Sequence, residues 1–206
     1  MATNFPTSVD NFTNPTANDS LNLPSHSTQH ANANDAIEAI EGYLLTEPIG
    51  MRLVKTQTIG TGVSSVSVTN AFSATYDNYR ILVSGGVGGS ANADLRFQLT
   101  GVATGYYGSL IYSPYAGGAV NAVGSSNVAS LPYMGVANLY SLSAQIEINA
   151  PFLTEQKMIS GTFYDTVNTG RAQGICDSLA SYTGFTLIAG AGTLTGGTIQ
   201  VYGYTK

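Results

Sequence analysis

The hydrophobic pattern changes period near residue 50. Before it, His26, His30, Ala33, Ile37, Ile40 and Leu44 are spaced alternately four and three apart. That spacing puts them on one face of a helix as a heptad seam. After it the period is two, clearest in Tyr79-Arg80-Ile81-Leu82-Val83, Leu95-Arg96-Phe97-Gln98-Leu99, Ile146-Glu147-Ile148 and Thr198-Ile199-Gln200-Val201-Tyr202-Gly203-Tyr204. Such runs read as half-buried strands. Clusters at Gly85-Gly86, Gly88-Gly89, Gly117-Gly118, Gly190-Ala191-Gly192 and Gly196-Gly197 separate them. The pattern predicts about ten strands, with no helical stretch between them to build parallel βαβ units.

The expected fold is therefore all-β: an antiparallel, jelly-roll-like β-sandwich over residues 51–206, preceded by one short helix and an extended arm. The helix is expected over 26–46, with Ser25 as its N-cap just after Pro24. Ala33, Ile37, Ile40 and Leu44 are the expected oligomerisation residues. Isoleucine at both seam positions favours three or four strands over two, so a homotrimer is expected. The competing reading packs the same stripe onto the chain's own sheets. Residues 1–25 show no period, only Phe5, Val9, Phe12, Leu21 and Leu23 among Pro6, Pro15, Pro24 and polar residues. A segment this poor in apolar residues cannot fold alone, and it reads as an arm ordered on a partner.

Composition sharpens this picture. The 206 residues are 43% hydrophobic but only 9% charged, against about 25% charged in an ordinary soluble chain. Residues 1–50 hold Asp10, Asp19, Asp35, Glu38, Glu41 and Glu47 and no Lys or Arg, a net −6. No basic footprint for nucleic acid exists, because clustered Lys and Arg are needed to neutralise phosphates. An acidic arm suits a basic or polar protein socket. Cys176 is the only cysteine, so no intrachain disulfide can form. The start, Met1 to Pro6, lacks a basic segment and an apolar run, and no run of 18 apolar residues occurs. Neither a secretory signal nor membrane insertion is expected, and the chain is expected to fold in a cytoplasm.

Catalytic constellations are hard to find. His26 and His30 are the only histidines, and Ser27, Thr28 and Gln29 stand where a metalloprotease motif needs a glutamate. No metal or other cofactor is expected, these two histidines being the weak candidates for one. Gly86-Val87-Gly88-Gly89-Ser90-Ala91 fits a dinucleotide pattern, but a strand follows where a phosphate-binding helix is required, so a hairpin loop is expected. No G-x-S-x-G elbow occurs. Cys176 has no histidine in its domain to activate it and reads as a small buried residue. Asp77, Asp94, Glu147, Glu155, Asp165 and Asp177 are the only acids available for glycoside hydrolysis. A non-enzymatic role is expected. Tyrosine stands out instead, with 13 copies and no Trp. Tyr106, Tyr107, Tyr112, Tyr115 and Tyr133 lie in a Gly-rich, turn-prone region. They are the candidate contacts for a sugar or protein surface, set against tyrosine's ordinary place in strands.

Asn4-Phe5-Pro6-Thr7-Ser8, Asn11-Phe12-Thr13-Asn14-Pro15, Pro24-Ser25-His26-Ser27-Thr28-Gln29-His30 and Asn34-Asp35-Ala36-Ile37-Glu38-Ala39-Ile40-Glu41 occur in that order. The set resembles the N-terminus of many tailed-bacteriophage virion proteins of the tail-fibre and minor-tail kind. Tyr76-Asp77-Asn78-Tyr79-Arg80-Ile81 and Gly197-Thr198-Ile199-Gln200-Val201-Tyr202-Gly203 resemble, more loosely, phage β-sandwich head domains. The resemblance implies a virion protein assembled in the host cytoplasm, docked to other tail, baseplate or capsid proteins by its first 45 residues. Phe5, Pro6, Phe12, Pro15, Leu21 and Pro24 would be its attachment residues. It implies that residues 51–206 face outward, with a host-surface glycan as the natural ligand. A capsid decoration or head-fibre protein is the alternative, and a polysaccharide hydrolase a further one.

Overall fold

The structure is a computed structural model that describes residues 25–46 and 50–206. The expected attachment residues Phe5, Pro6, Phe12, Pro15, Leu21 and Pro24 lie outside the described residues. The chain divides after Gly50 into two units.

In the first unit, helix α1 runs His26–Thr46. Ser25 caps it as expected: its Oγ accepts from Thr28 N at 3.3 Å and its carbonyl from Gln29 N at 3.1 Å. No acid lies in the first turn and no base in the last, so the helix dipole is left without charge compensation.

The second unit is all-β and sandwich-like. Its strands are β1 (Met51–Thr58), β2 (Ser65–Val68), β3 (Asn78–Gly88), β4 (Asp94–Leu99), β5 (Tyr106–Pro114) and β6 (Asn121–Val128). They continue with β7 (Leu131–Asn138), β8 (Ser141–Asn149), β9 (Lys157–Tyr164), β10 (Asn168–Cys176), β11 (Phe185–Ala189) and β12 (Leu194–Tyr204). Neighbouring strands pair antiparallel throughout, and β8 is where the sheet forks. Its first residues pair with β7 and its last with β9, while β3 runs along its other side. One branch continues β9-β10-β5-β6, the other β7-β4-β11-β2, and β3 leads on to β12 and β1.

The inward positions of these strands form one apolar cluster. Phe185 of β11 stacks on Phe97 of β4 at 5.3 Å and on Phe72 at 5.6 Å, and Phe72 meets Tyr79 of β3 edge-on at 4.8 Å. These offset and edge-on contacts tie the β4–β11 branch to β3. The Tyr79 hydroxyl is satisfied locally, donating to Ser73 O at 3.0 Å and accepting from Ser73 N at 2.8 Å.

One expectation is corrected. The Gly86–Ala91 segment is not a hairpin loop, because β3 pairs with β12 and β8 while β4 pairs with β11 and β7. Residues 89–93 instead carry the chain from one branch of the sheet to the other. Glycine is required there by close approach: a Cβ on Gly88 would sit 1.8 Å from Ala137 O of β7. The strand that follows is β4, so no helix N-terminus exists to receive a pyrophosphate.

The antiparallel order sorts the loops to two ends. Met51, where the chain enters, is at one of them. The distal end carries the loops 59–64, 89–93, 115–120, 139–140, 165–167 and 190–193.

Candidate functional site

The five tyrosines expected to act together are separated by the alternation of β5 and the bend of β7. Tyr106 points inward and is fully buried. Its hydroxyl accepts from Leu99 N at 2.6 Å, and burial pushes its phenol well above the ordinary range. It braces β5 against the end of β4 and leaves no face for a ligand. Tyr106→Phe is expected to cost about 1–3 kcal/mol, the value of a stranded buried donor, read by urea unfolding. Tyr107, one residue on, faces outward in a row with Ile175 and Met158. Tyr112 and Tyr133 are half-buried against the core. Tyr133 has a left-handed φ of 63° and meets Phe163 edge-on at 5.4 Å. Its N–H donates to Asp94 Oδ2 at 3.1 Å, which holds the irregular β4–β7 register. Only Tyr115 reaches the distal end as an exposed ring.

There it joins residues that the periodicity did not single out. The two-residue hairpin between β7 and β8 has Leu139 and Tyr140 at its tip, and Tyr140 is 80% exposed. Buried Asn138 builds that tip, its Oδ1 accepting from Tyr140 N and Ser141 N at 2.9 Å each. Turn tips ordinarily carry Gly, Asn, Asp or Ser, so an apolar pair there is the signal that could have found this site. Val120 and Val167 are also exposed at this end. The loops brace one another. Tyr115 N donates to Val167 O at 2.8 Å, Thr166 Oγ1 to Asn92 Oδ1 at 3.0 Å, and Ser141 Oγ meets Tyr164 OH at 3.0 Å. Asp165 is the only charged residue in the six loops, and its carboxylate is taken up by Val167 N, Asn168 N and Asn168 Nδ2. The distal end therefore offers aromatic and aliphatic surface with amide and hydroxyl groups, its one loop carboxylate engaged by neighbouring N–H groups, a surface suited to a largely uncharged ligand.

The acids considered for hydrolysis are spread over the unit. Asp77 pairs with Lys206 at 2.8 Å near the entry end, and Asp94 with Arg96 at 3.2 Å near the distal end. Glu147 lies mid-sheet, 3.4 Å from Arg80, and accepts from Tyr204 OH at 2.8 Å. Cys176 is buried, and burial pushes its thiol above the ordinary value. Among the described residues no cluster of three or more His, Cys, Asp or Glu is placed to hold a metal. Among them, too, no helix is long and apolar enough to cross a membrane.

On α1, Ala33, Ile37, Ile40 and Leu44 are all exposed, the last three at 54%, 45% and 60%. His26 and His30 meet edge-on at the start of the same helix, with ring centroids 4.4 Å apart and Nε2 atoms 3.1 Å apart.

No protein-family model, curated protein or solved structure matches the chain. The functional reading therefore rests on two features of the molecule itself, the apolar stripe of α1 and the aromatic, charge-poor distal end.

Proposed function

We propose that this chain is a non-enzymatic virion structural protein, a homotrimeric short tail fibre or appendage. The first 25 residues anchor it to the particle, α1 associates the copies, and the distal loops of the β unit touch the host surface, with a neutral glycan as ligand. The observation that carries this reading is the exposure of Ile37, Ile40 and Leu44 on one stripe of α1. Each such side chain gains about 1.5–3 kcal/mol when buried. A 21-residue helix without charge compensation at its ends is marginal alone, so its stability has to come from packing. Copies of the same stripe supply that packing. Three copies would also present three sets of Tyr115 and Tyr140, turning weak single contacts into strong multivalent attachment.

The test is a chain lacking residues 1–45. It is expected to keep the far-UV spectrum and unfolding midpoint of the β unit, lose its oligomeric mass, and fail to load onto particles. Loading of this truncated chain would overturn the anchoring role. Antibody labelling of intact particles separates a tail position from a capsid one.

A further inference from the structure

We propose that His26 and His30 form a chelating pair for a borderline divalent transition-metal ion of the zinc, nickel and copper class. The two residues are one helical turn apart on the exposed face of α1, and their Nε2 atoms converge to 3.1 Å. A metal bound to imidazole nitrogen sits about 2.0–2.1 Å away. Two such bonds spanning this separation enclose an angle of roughly 95–100°, between the right angle of an octahedron and the roughly 109° of a tetrahedron. The separation of the two nitrogens is thus that of cis ligands on one ion. In the free chain the two nitrogens lie within hydrogen-bond distance of one another, the donor being set by the tautomer. With metal bound, both Nε2 atoms are bare and each neutral ring carries its proton on Nδ1.

The donor set selects the ion. Two imidazoles suit zinc, nickel and copper, whereas calcium and magnesium require oxygen ligands. With no third protein ligand in the cluster among the described residues, water or a ligand from another copy completes the coordination. The partial positive charge of the helix N-terminus works against a cation here. The helix's own charges work for it, since α1 carries Asp35, Glu38 and Glu41 and no Lys or Arg. The chelate lies within one chain and does not depend on the trimer.

Calorimetric titration of the full-length, metal-free chain with Zn²⁺ tests it, with oligomeric mass measured on the same samples. One ion per chain is expected, with affinity falling at least tenfold in His26→Ala and in His30→Ala. Cu²⁺ paramagnetic resonance should show two coupled imidazole nitrogens in the parent and one in either variant. Both substitutions fall on exposed helix positions, so the variants keep their fold, and His→Gln versions check this without changing polarity. Absence of Zn²⁺ binding, or binding that survives either substitution undiminished, would overturn the proposal. A monomer that still binds Zn²⁺ through both rings would retain the chelate while removing the trimeric reading.

Discussion

Lys157→Met is expected to lower the free energy of unfolding by about 2–4 kcal/mol, although methionine fills nearly the same volume. Lys157 opens β9 and is fully buried. Its ammonium donates to Leu153 O at 2.8 Å, to Ser178 O at 3.2 Å and to Glu155 O, and it stands 5.4 Å from the centre of the Tyr182 ring. Taking a charge out of water costs several kcal/mol, and this desolvation draws the lysine's pKa below its ordinary value. Three hydrogen bonds from a charged donor, each worth about 1.5–3 kcal/mol, and the aromatic face, worth about 1–2, offset that cost. Methionine removes the desolvation but leaves Leu153 O, Glu155 O and Ser178 O, all part-buried, without the ammonium that joins them, so the loss outweighs the relief. Alanine adds a cavity and a further loss. Urea unfolding reads the difference. The carbonyls belong to the loops 150–156 and 177–184, so hydrogen exchange should quicken in both and stay unchanged at the distal end. An unchanged unfolding free energy in Lys157→Met would mean that the ammonium contributes nothing net.

This clamp could not be read from the chain. Lys157 sits in Gln156-Lys157-Met158-Ile159 and looks like an ordinary polar position at the start of a strand. Its burial follows from the way the loop just before it, 150–156, meets the loop 177–184 that follows the next strand. Legibility elsewhere tracked how local the governing physics is. Ser25 and the four-three spacing marked α1 to within a residue, because caps and helical period act over a single turn. The alternating runs around Ile81, Phe97, Ile146 and Ile199 all became strands, because one face of each meets the core.

Strand β6, Asn121–Val128, lies at the end of its branch, exposed along most of its length, and needs no hydrophobic alternation. Such a strand leaves little trace in the pattern, and about ten strands were expected where twelve are found among the described residues. The tyrosines show the same limit. Tyr106 and Tyr107 are neighbours in a strand and so face opposite ways. The inward set Tyr106, Leu110 and Tyr112 against the outward set Tyr107, Ser109 and Ile111 was already present as alternation, and grouping the rings by closeness in sequence obscured it. The distal site depends on which loops share an end of the sheet. That is a property of strand order, and a single sequence carries no direct record of it.

Ile40→Asp is expected to convert the proposed trimer into a monomer at micromolar concentration. Each chain would lose the burial of one isoleucine, about 1.5–3 kcal/mol, and three carboxylates would be brought together on one axis. With about 3 kcal/mol lost per chain and each 1.4 kcal/mol worth tenfold, the association constant falls on the order of 10⁶. Sedimentation equilibrium reads this directly, and the unfolding midpoint of the β unit is expected to stay put, since its core lies wholly within residues 51–206. Asn34→Asp is the control. Asn34 is exposed and off the seam, so it adds the same charge to the same helix and should leave the trimer intact. The two substitutions together separate a specific seam from general repulsion in an already acidic segment. If both dissociate the protein, charge alone governs association and the seam has no part in it. If the parent chain is itself monomeric, Ile37, Ile40 and Leu44 stay in water, and the multivalent appendage loses its physical basis.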